Sequence, residues 1–417
     1  MTQKAIDEEY FEKFTDGGLG SFESYSYLGG DIDFREKQKD LFLKKEVRNP
    51  TLDYPFLNEF DFEGKKEKLR TLQQEIQADG NDILMKAYLP KIEVKLNEIA
   101  MLAAAKSKND GAFTDFATRV FGHPEKDIHH YITNSLRLQC QSISDNPEVS
   151  EQRQNAAQSL LDEMPDHADT PVNAYTPHAP DYGEQDKDQE IVGCQEIAQS
   201  FQNALKEFPG GDSWHVNVSK NATILSVSQE DKSIIIPSKR RMSRIRLRSL
   251  ISHEVGTHIV RREQGERGPL KLLGIGLDHY IGGEEGIATY KEMQIRGAHD
   301  YPRLDRHFAA GLCAGFDGQK KDFRDTYELL QDYYIVKGET LAEAADIAWF
   351  VCVRTFRGTT CHTPGSYYPK DATAYTPGNI FITQMMRENH VECKRFMVGK
   401  YDPRNERHIE ILNALGL

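Results

Sequence analysis

The feature that most constrains this 417-residue chain is a run in its second half, His253-Glu254-Val255-Gly256-Thr257-His258, set within an apolar stripe of Leu247, Ile251, Val255 and Ile259. Apolar residues at every fourth position mark one face of an amphipathic helix. We read the run as a motif of the His-Glu-x-x-His type. On a helix its two imidazoles stand a little over one turn apart on one face, so both reach one metal ion, and Glu254 falls beside them where it can hold a water. A surface helix carrying two satisfied histidines is the competing reading, and a third ligand separates the two.

The elongated signature with a third histidine is absent, because Arg261 and Gln264 occupy its Gly and His positions. The third ligand is therefore expected to be a carboxylate from a later helix, completing a His₂Glu site. Gly282-Gly283-Glu284-Glu285-Gly286-Ile287-Ala288 suits that role. It follows a loop long enough to reverse the chain, and the face 285, 288, 289, 292 is small or polar. Gly286 and Ala288 are expected to let this helix approach the motif helix closely. A carboxylate in a first turn is also favoured by the helix dipole. The carboxylate is expected from this segment; the plainer alternative is that Glu284 and Glu285 only cap the helix.

Around this site the chain divides into three zones. Residues 1–140 read as a helical N-terminal region, with Pro90 expected to kink or split the segment 82–106 and another helix expected from Pro124. Residues 141–190 hold 12 acidic residues against 2 basic ones, with 5 prolines, and read as an acidic linker or insertion. That block carries 10 of the 13 net negative charges. Residues 191–417 read as the catalytic domain. A helix over 190–208 precedes short strands at 214–218, 223–227 and 233–236, the last two forming a hairpin. Helices follow at 243–262, from 282 to 296, and at 304–314, 321–337 and 340–356, with a loop from 357 to 378. Strands first and helices after, without βαβ alternation, point to an α+β fold.

The net charge of −13 gives no reason to expect nucleic acid as a partner. The longest near-continuous apolar run, residues 347–353, is far short of the ~20 residues of a membrane span. Six scattered cysteines without a Cys-x-x-Cys pair, and acid where a signal peptide carries base, lead us to expect a cytoplasmic protein.

His253 to His258 followed by Glu284-Glu285-Gly286-Ile287-Ala288 resembles the DUF1704 family. Its bacterial members carry Gln-Glu-Gly-Leu-Ala, and its animal members are the microtubule-associated tyrosine carboxypeptidases. Arg354-Thr-Phe-Arg357-Gly358, then Lys370-Asp371, Tyr375 and Gly378, resemble the family's second block in the right order. Val120-Phe-Gly-His-Pro124 resembles its Tyr-Gly-x-Pro element. The chain departs at Tyr368-Pro369, where the family has Phe-Thr, and at Glu284, where bacterial members have Gln.

The resemblance implies a zincin-like core, one Zn²⁺ per chain, and a metallocarboxypeptidase acting on a protein or peptide C-terminus, with tubulin entering by family analogy alone. In that chemistry zinc on His253, His258 and Glu285 leaves a position for water, and Glu254 takes the water proton. Tyr375 is the first candidate donor to the oxyanion, ahead of His279, Tyr280 and His362. Arg357 and Lys370 are the candidates for gripping the substrate carboxylate, with Arg354 less suited. The basic run Lys239 to Arg248 reads as a solvated helix face, or as an attractor of acidic tails. An endo- or aminopeptidase of the same architecture, or a noncatalytic metal-binding regulator, are the alternatives.

Overall fold

The computed structural model describes residues 5–167, 175, 189–222, 225–297, 300–388 and 390–417. Helices dominate, and the strands make two small sheets. β1 (Ile191–Gly193), β2 (His215–Ser219), β3 (Ser226–Ser228), β4 (Ser233–Pro237) and β5 (Arg241–Ser243) all precede the motif helix. β1 pairs antiparallel with β5. The other three run in the order β2-β4-β3, with β4 parallel to β2 and antiparallel to β3. The expected 223–227 to 233–236 hairpin is therefore present as β3 and β4, residues 223–224 lying outside the described ones. β1 takes the first residues of the segment read as helix, because Ile191–Gly193 gains a ladder against β5; the helix begins at Cys194. Helices and a small mixed sheet make an α+β composition.

One apolar cluster fastens the sheet to the motif helix. Ile234 and Ile236 of β4, Phe201 of the preceding helix and Trp214 are buried with Leu247, Val255 and Ile259. The stripe read from the sequence thus faces the sheet, which leaves the opposite face of the rod for polar chemistry.

The other two clusters join distant parts of the chain. One packs Phe14, Leu69, Tyr88 and Leu102 with Leu273, Ile287, Tyr401 and Leu412. The other packs Phe42, Ile132 and Leu160 with Phe308, Phe323 and Trp349. The helical N-terminal region therefore shares its cores with the C-terminal half. Its long helix, Asp82–Lys106, runs through Pro90 without dividing, so of the expected kink or split the split does not occur: packing of Tyr88 and Ile92, both fully buried, outweighs the one hydrogen bond that proline removes. The helix expected from Pro124 starts at Lys126.

The stretch read as a linker or insertion begins as structure. Glu151–Glu163 is a helix with Ala156, Ala157 and Leu160 in the core. Three small or branched apolar residues at spacings of one and three form a narrow stripe that the acidic composition conceals. Residues 168–174 and 176–188 of that stretch lie outside the described residues. All six cysteines are free thiols. Among the described residues no helix is long and apolar enough to cross a membrane.

Candidate metal centre

The motif lies on a rod of three consecutive helical segments: an α-helix Arg244–His253, a π-helical turn Glu254–Ile259, and an α-helix Val260–Arg267. The π-turn corrects the spacing assumed for the motif. Three residues, not two, separate Glu254 from His258, so the histidines are five positions apart. On a regular α-helix that separation leaves the two side chains about 140° apart around the axis, at 100° per residue. A π-turn, whose hydrogen bonds run i→i+5, takes up the extra residue and returns His258 to the face of His253. The two ring centroids are 4.9 Å apart. Lys291, reaching across from the next helix, donates to the Gly256 carbonyl within this turn at 2.8 Å.

The facing helix, Ile281–Arg296, brings three glutamates to the two rings. Glu285 Oε2 lies 3.6 Å from His253 Nε2 and 3.8 Å from His258 Nε2. Two ligand atoms on a tetrahedral zinc, each ~2.0–2.2 Å from it, stand at about this separation, so Glu285 is within reach of an ion held by either ring. Glu285 Oε2 is also buried without a hydrogen-bond partner, so an acceptor is aimed into the space between two imidazole nitrogens. The other ring nitrogens face carboxylates from behind: His258 Nδ1 is hydrogen-bonded to Glu284 Oε1 at 2.8 Å, and His253 Nδ1 lies at ion-pair distance, 3.2 Å, from Glu292 Oε2. Carboxylates on the far nitrogen fix ring orientation and leave Nε2 for a metal. Glu254 offers a carboxylate oxygen within 4.8 Å of both imidazoles. The residues present fit a divalent cation.

The electrostatics agree. Burial alone would push the His253 imidazole down, yet Glu292, with the fields of Glu254 and Glu285, raises it to about 9. The pocket favours positive charge at that ring. Glu284 is fully buried; burial works against its charge, but Arg261, Lys400 and His258 hold its carboxyl well below the usual range. Arg261, itself wholly buried, pairs with Glu284 and donates through Nε to the Gly399 carbonyl at 2.8 Å. Arg261, Glu284 and His258 therefore form a chain that ends at the site.

Gly286 is corrected in its role. A Cβ there would come within 2.5 Å of the Gly378 carbonyl oxygen, and one on Gly378 within 2.1 Å of that of Gly282. These glycines bring Ile281–Arg296 against the helix Thr376–Arg387, rather than against the motif rod. The glutamates are thus pressed toward the histidines from behind.

A cleft of about 490 Å³ opens over the site, lined by His253, Glu254, His258 and Glu285 together with Arg357, Lys370 and Tyr375. The seven residues named from the sequence share it. Arg354 lines it too, but grips Asp371 through two bonds of 2.5 and 2.9 Å, and Arg306 adds a third at 3.1 Å. Its charge is spoken for. Arg357 makes no hydrogen bond or ion pair among the described residues, and its Nε is buried without a partner. Lys370 Nζ sits 4.3 Å from the centre of the Tyr25 ring; burial pushes its ammonium down, against Glu23, Asp371 and Glu285. Burial, with Glu285 and Asp371, pushes the Tyr375 phenol far up, so it stays a donor.

The lesser oxyanion candidates separate. Tyr280 borders the cleft, whereas His279 lines a neighbouring cavity and His362 a distant depression beside Thr51 and Tyr54. In the basic run, Arg244 pairs with Glu190 and Glu196, and Arg246 with Glu292. Glu292 was not among the residues singled out, although it shares the 285, 288, 289, 292 face. Glu292→Gln is expected to weaken metal binding about 10- to 100-fold, measured by chelator competition; unchanged affinity would mean that His253 needs no tether.

A family model described as microtubule-associated tyrosine carboxypeptidase matches residues 170–417. Comparison with curated proteins gave no match. The matched residues include the motif rod, the helix of the three glutamates and the Arg357–Tyr375 block.

Proposed function

We propose a function for this chain that starts from its family: it belongs to the microtubule-associated tyrosine carboxypeptidases. On that premise it is a zinc metallocarboxypeptidase with a zincin-like core, which hydrolyses the last peptide bond of a protein or peptide and releases tyrosine or another bulky residue. The observation that carries this reading is the sharing of one cleft by two kinds of group. A His₂Glu cluster with a spare carboxylate stands beside two cations, Arg357 and Lys370, neither of which makes an ion pair among the described residues.

His253, His258 and Glu285 would hold the zinc, which when bound would supply Lewis acidity and make a neighbouring water more acidic. Glu254 accepts the water proton and delivers it to the departing amine. Tyr375, kept protonated by its surroundings, donates to the oxygen on which charge develops. Arg357 and Lys370 hold the free carboxylate, Arg through its planar fork. β3 is the edge of its sheet, and Leu225, Ser226 and Val227 line the cleft. Its open edge suits an extended peptide added as a further strand.

An endopeptidase has no use for half-buried cations without ion-pair partners in its cleft, and a purely structural metal has no use for Glu254. The test compares one peptide as free acid and as C-terminal amide, with products weighed by mass spectrometry. The acid is expected to lose a single residue, and the amide to react about 10- to 100-fold more slowly. Arg357→Met is expected to lower kcat/KM for the acid by a similar factor, mostly through KM, and to erase the preference for acid over amide. Internal cuts would contradict the reading.

A further inference from the structure

A second cavity, about 650 Å³, adjoins the metal cleft. Tyr280, Lys370 and Lys400 line both. This inference rests on the carboxypeptidase reading: a peptide whose terminal carboxylate is held at Lys370 presents its last side chain to the space beside Lys370, and that space is this cavity.

Its walls are apolar at Phe22, Val94, Val120, Phe121 and Ile275, enough for a long side chain. Its cations differ from one another in one respect. Lys95 pairs with Glu98 at 2.9 Å, Arg262 with Glu266 at 2.7 Å, Arg404 with Asp402 at 2.6 Å, Arg407 with Asp278, and Lys400 with Glu284 at 3.7 Å. Lys91 has no such partner among the described residues. It is 5 % exposed, donates one long bond of 3.4 Å to the Leu277 carbonyl, and stands 5.0 Å over the Tyr280 ring. A buried ammonium without a direct ion-pair partner is costly to keep, and Lys91 borders a cavity able to admit an acceptor. Burial, with Lys95 and Lys400, pushes it down to about 7 against the opposing fields of Glu98 and Asp278, and an incoming oxygen would act in the same direction as those carboxylates.

We propose that this cavity receives the side chain of the released residue, and that Lys91 selects one ending in an oxygen acceptor, the phenol of tyrosine or the carboxylate of glutamate. Lys91, Phe22, Val94 and Phe121 lie outside the matched residues 170–417, whereas Ile275, Tyr280, Lys370 and Lys400 lie within them, so both parts of the chain contribute walls to this cavity.

The test uses zinc-loaded full-length protein on four peptides that differ only in a final Tyr, Phe, Glu or Leu. Wild-type kcat/KM is expected to favour Tyr over Phe, Glu over Leu, or both, by about 10- to 100-fold; which arm responds identifies the acceptor. Lys91→Met is expected to bring the ratio toward one, and Lys91→Arg to keep it. Wild-type ratios near one overturn the inference, as does a Lys91→Met variant that slows all four peptides equally. Should Lys91→Met fail to fold, as judged by circular dichroism, Lys91→Gln replaces it under the same criteria. Indiscriminate release of all four residues removes this inference alone, whereas no release from any peptide removes the carboxypeptidase reading with it.

Discussion

Glu254→Gln is expected to slow removal of a C-terminal residue by about 10²–10⁴-fold, the range supplied by a positioned proton acceptor, while leaving the metal content of the protein unchanged. The substitution keeps the shape of the side chain and removes only its capacity to take a proton. Glu254 lies on the π-turn beside both histidines but, unlike Glu284 and Glu292, braces neither ring from behind. Its carboxylate is therefore free for substrate chemistry. Parallel measurement of kcat and of zinc by mass spectrometry separates the outcomes. Lost activity with zinc retained is the expected result. Zinc lost together with activity would make Glu254 a ligand, and full activity would leave the reaction without its base.

Glu285→Ala should have the larger effect on the metal. The carboxylate is the group that faces both Nε2 atoms, at 3.6 and 3.8 Å. Without it two imidazoles remain, one ligand short of the three protein groups of a catalytic zinc site. The loss of affinity should exceed the roughly 10- to 100-fold typical of partners behind the ligands, and activity should fall with zinc content. Glu285 Oε2 has no hydrogen-bond partner, so its removal orphans no protein donor. Thermal unfolding of the metal-free variant should accordingly stay close to that of the metal-free parent. A Glu285→Ala protein that still binds zinc at parental affinity would contradict the assignment.

Much of the site is legible in the residues because helices are local. The stripe at 247, 251, 255 and 259 identifies the rod and the face it buries, and a carboxylate on the next helix follows from the missing third histidine. The π-turn is not legible in that stripe. The apolar residues keep a spacing of four, while the two histidines are five apart, and that mismatch is the one sign of the extra residue. A motif read with one residue too few therefore still leads to side chains that share one cleft.

What escapes the sequence is pairing at a distance. Nothing local says that Arg354 is tied to Asp371 while Arg357, three residues on, is not. Nothing local says that Arg261, which stands where a glycine would stand in the elongated signature, is the buried brace of Glu284. The glycines show the same limit: Gly286 reads as a site of close helix approach, which it is, but the approaching helix is Thr376–Arg387. The amphipathic N-terminal helices announce that they bury one face without saying against what. Tyr88 and Ile92 pack with Leu273 and Tyr401, and this places the neighbouring Lys91 at a cavity beside the cleft.

The most direct test of the account is a crystal of the protein soaked in zinc and measured at the zinc absorption edge. The account predicts one anomalous peak per chain, about 2.0–2.2 Å from His253 Nε2, from His258 Nε2 and from a Glu285 oxygen, with Glu254 outside the coordination sphere. A peak ligated by Glu254 in place of Glu285, or no peak between the two imidazoles, would contradict it.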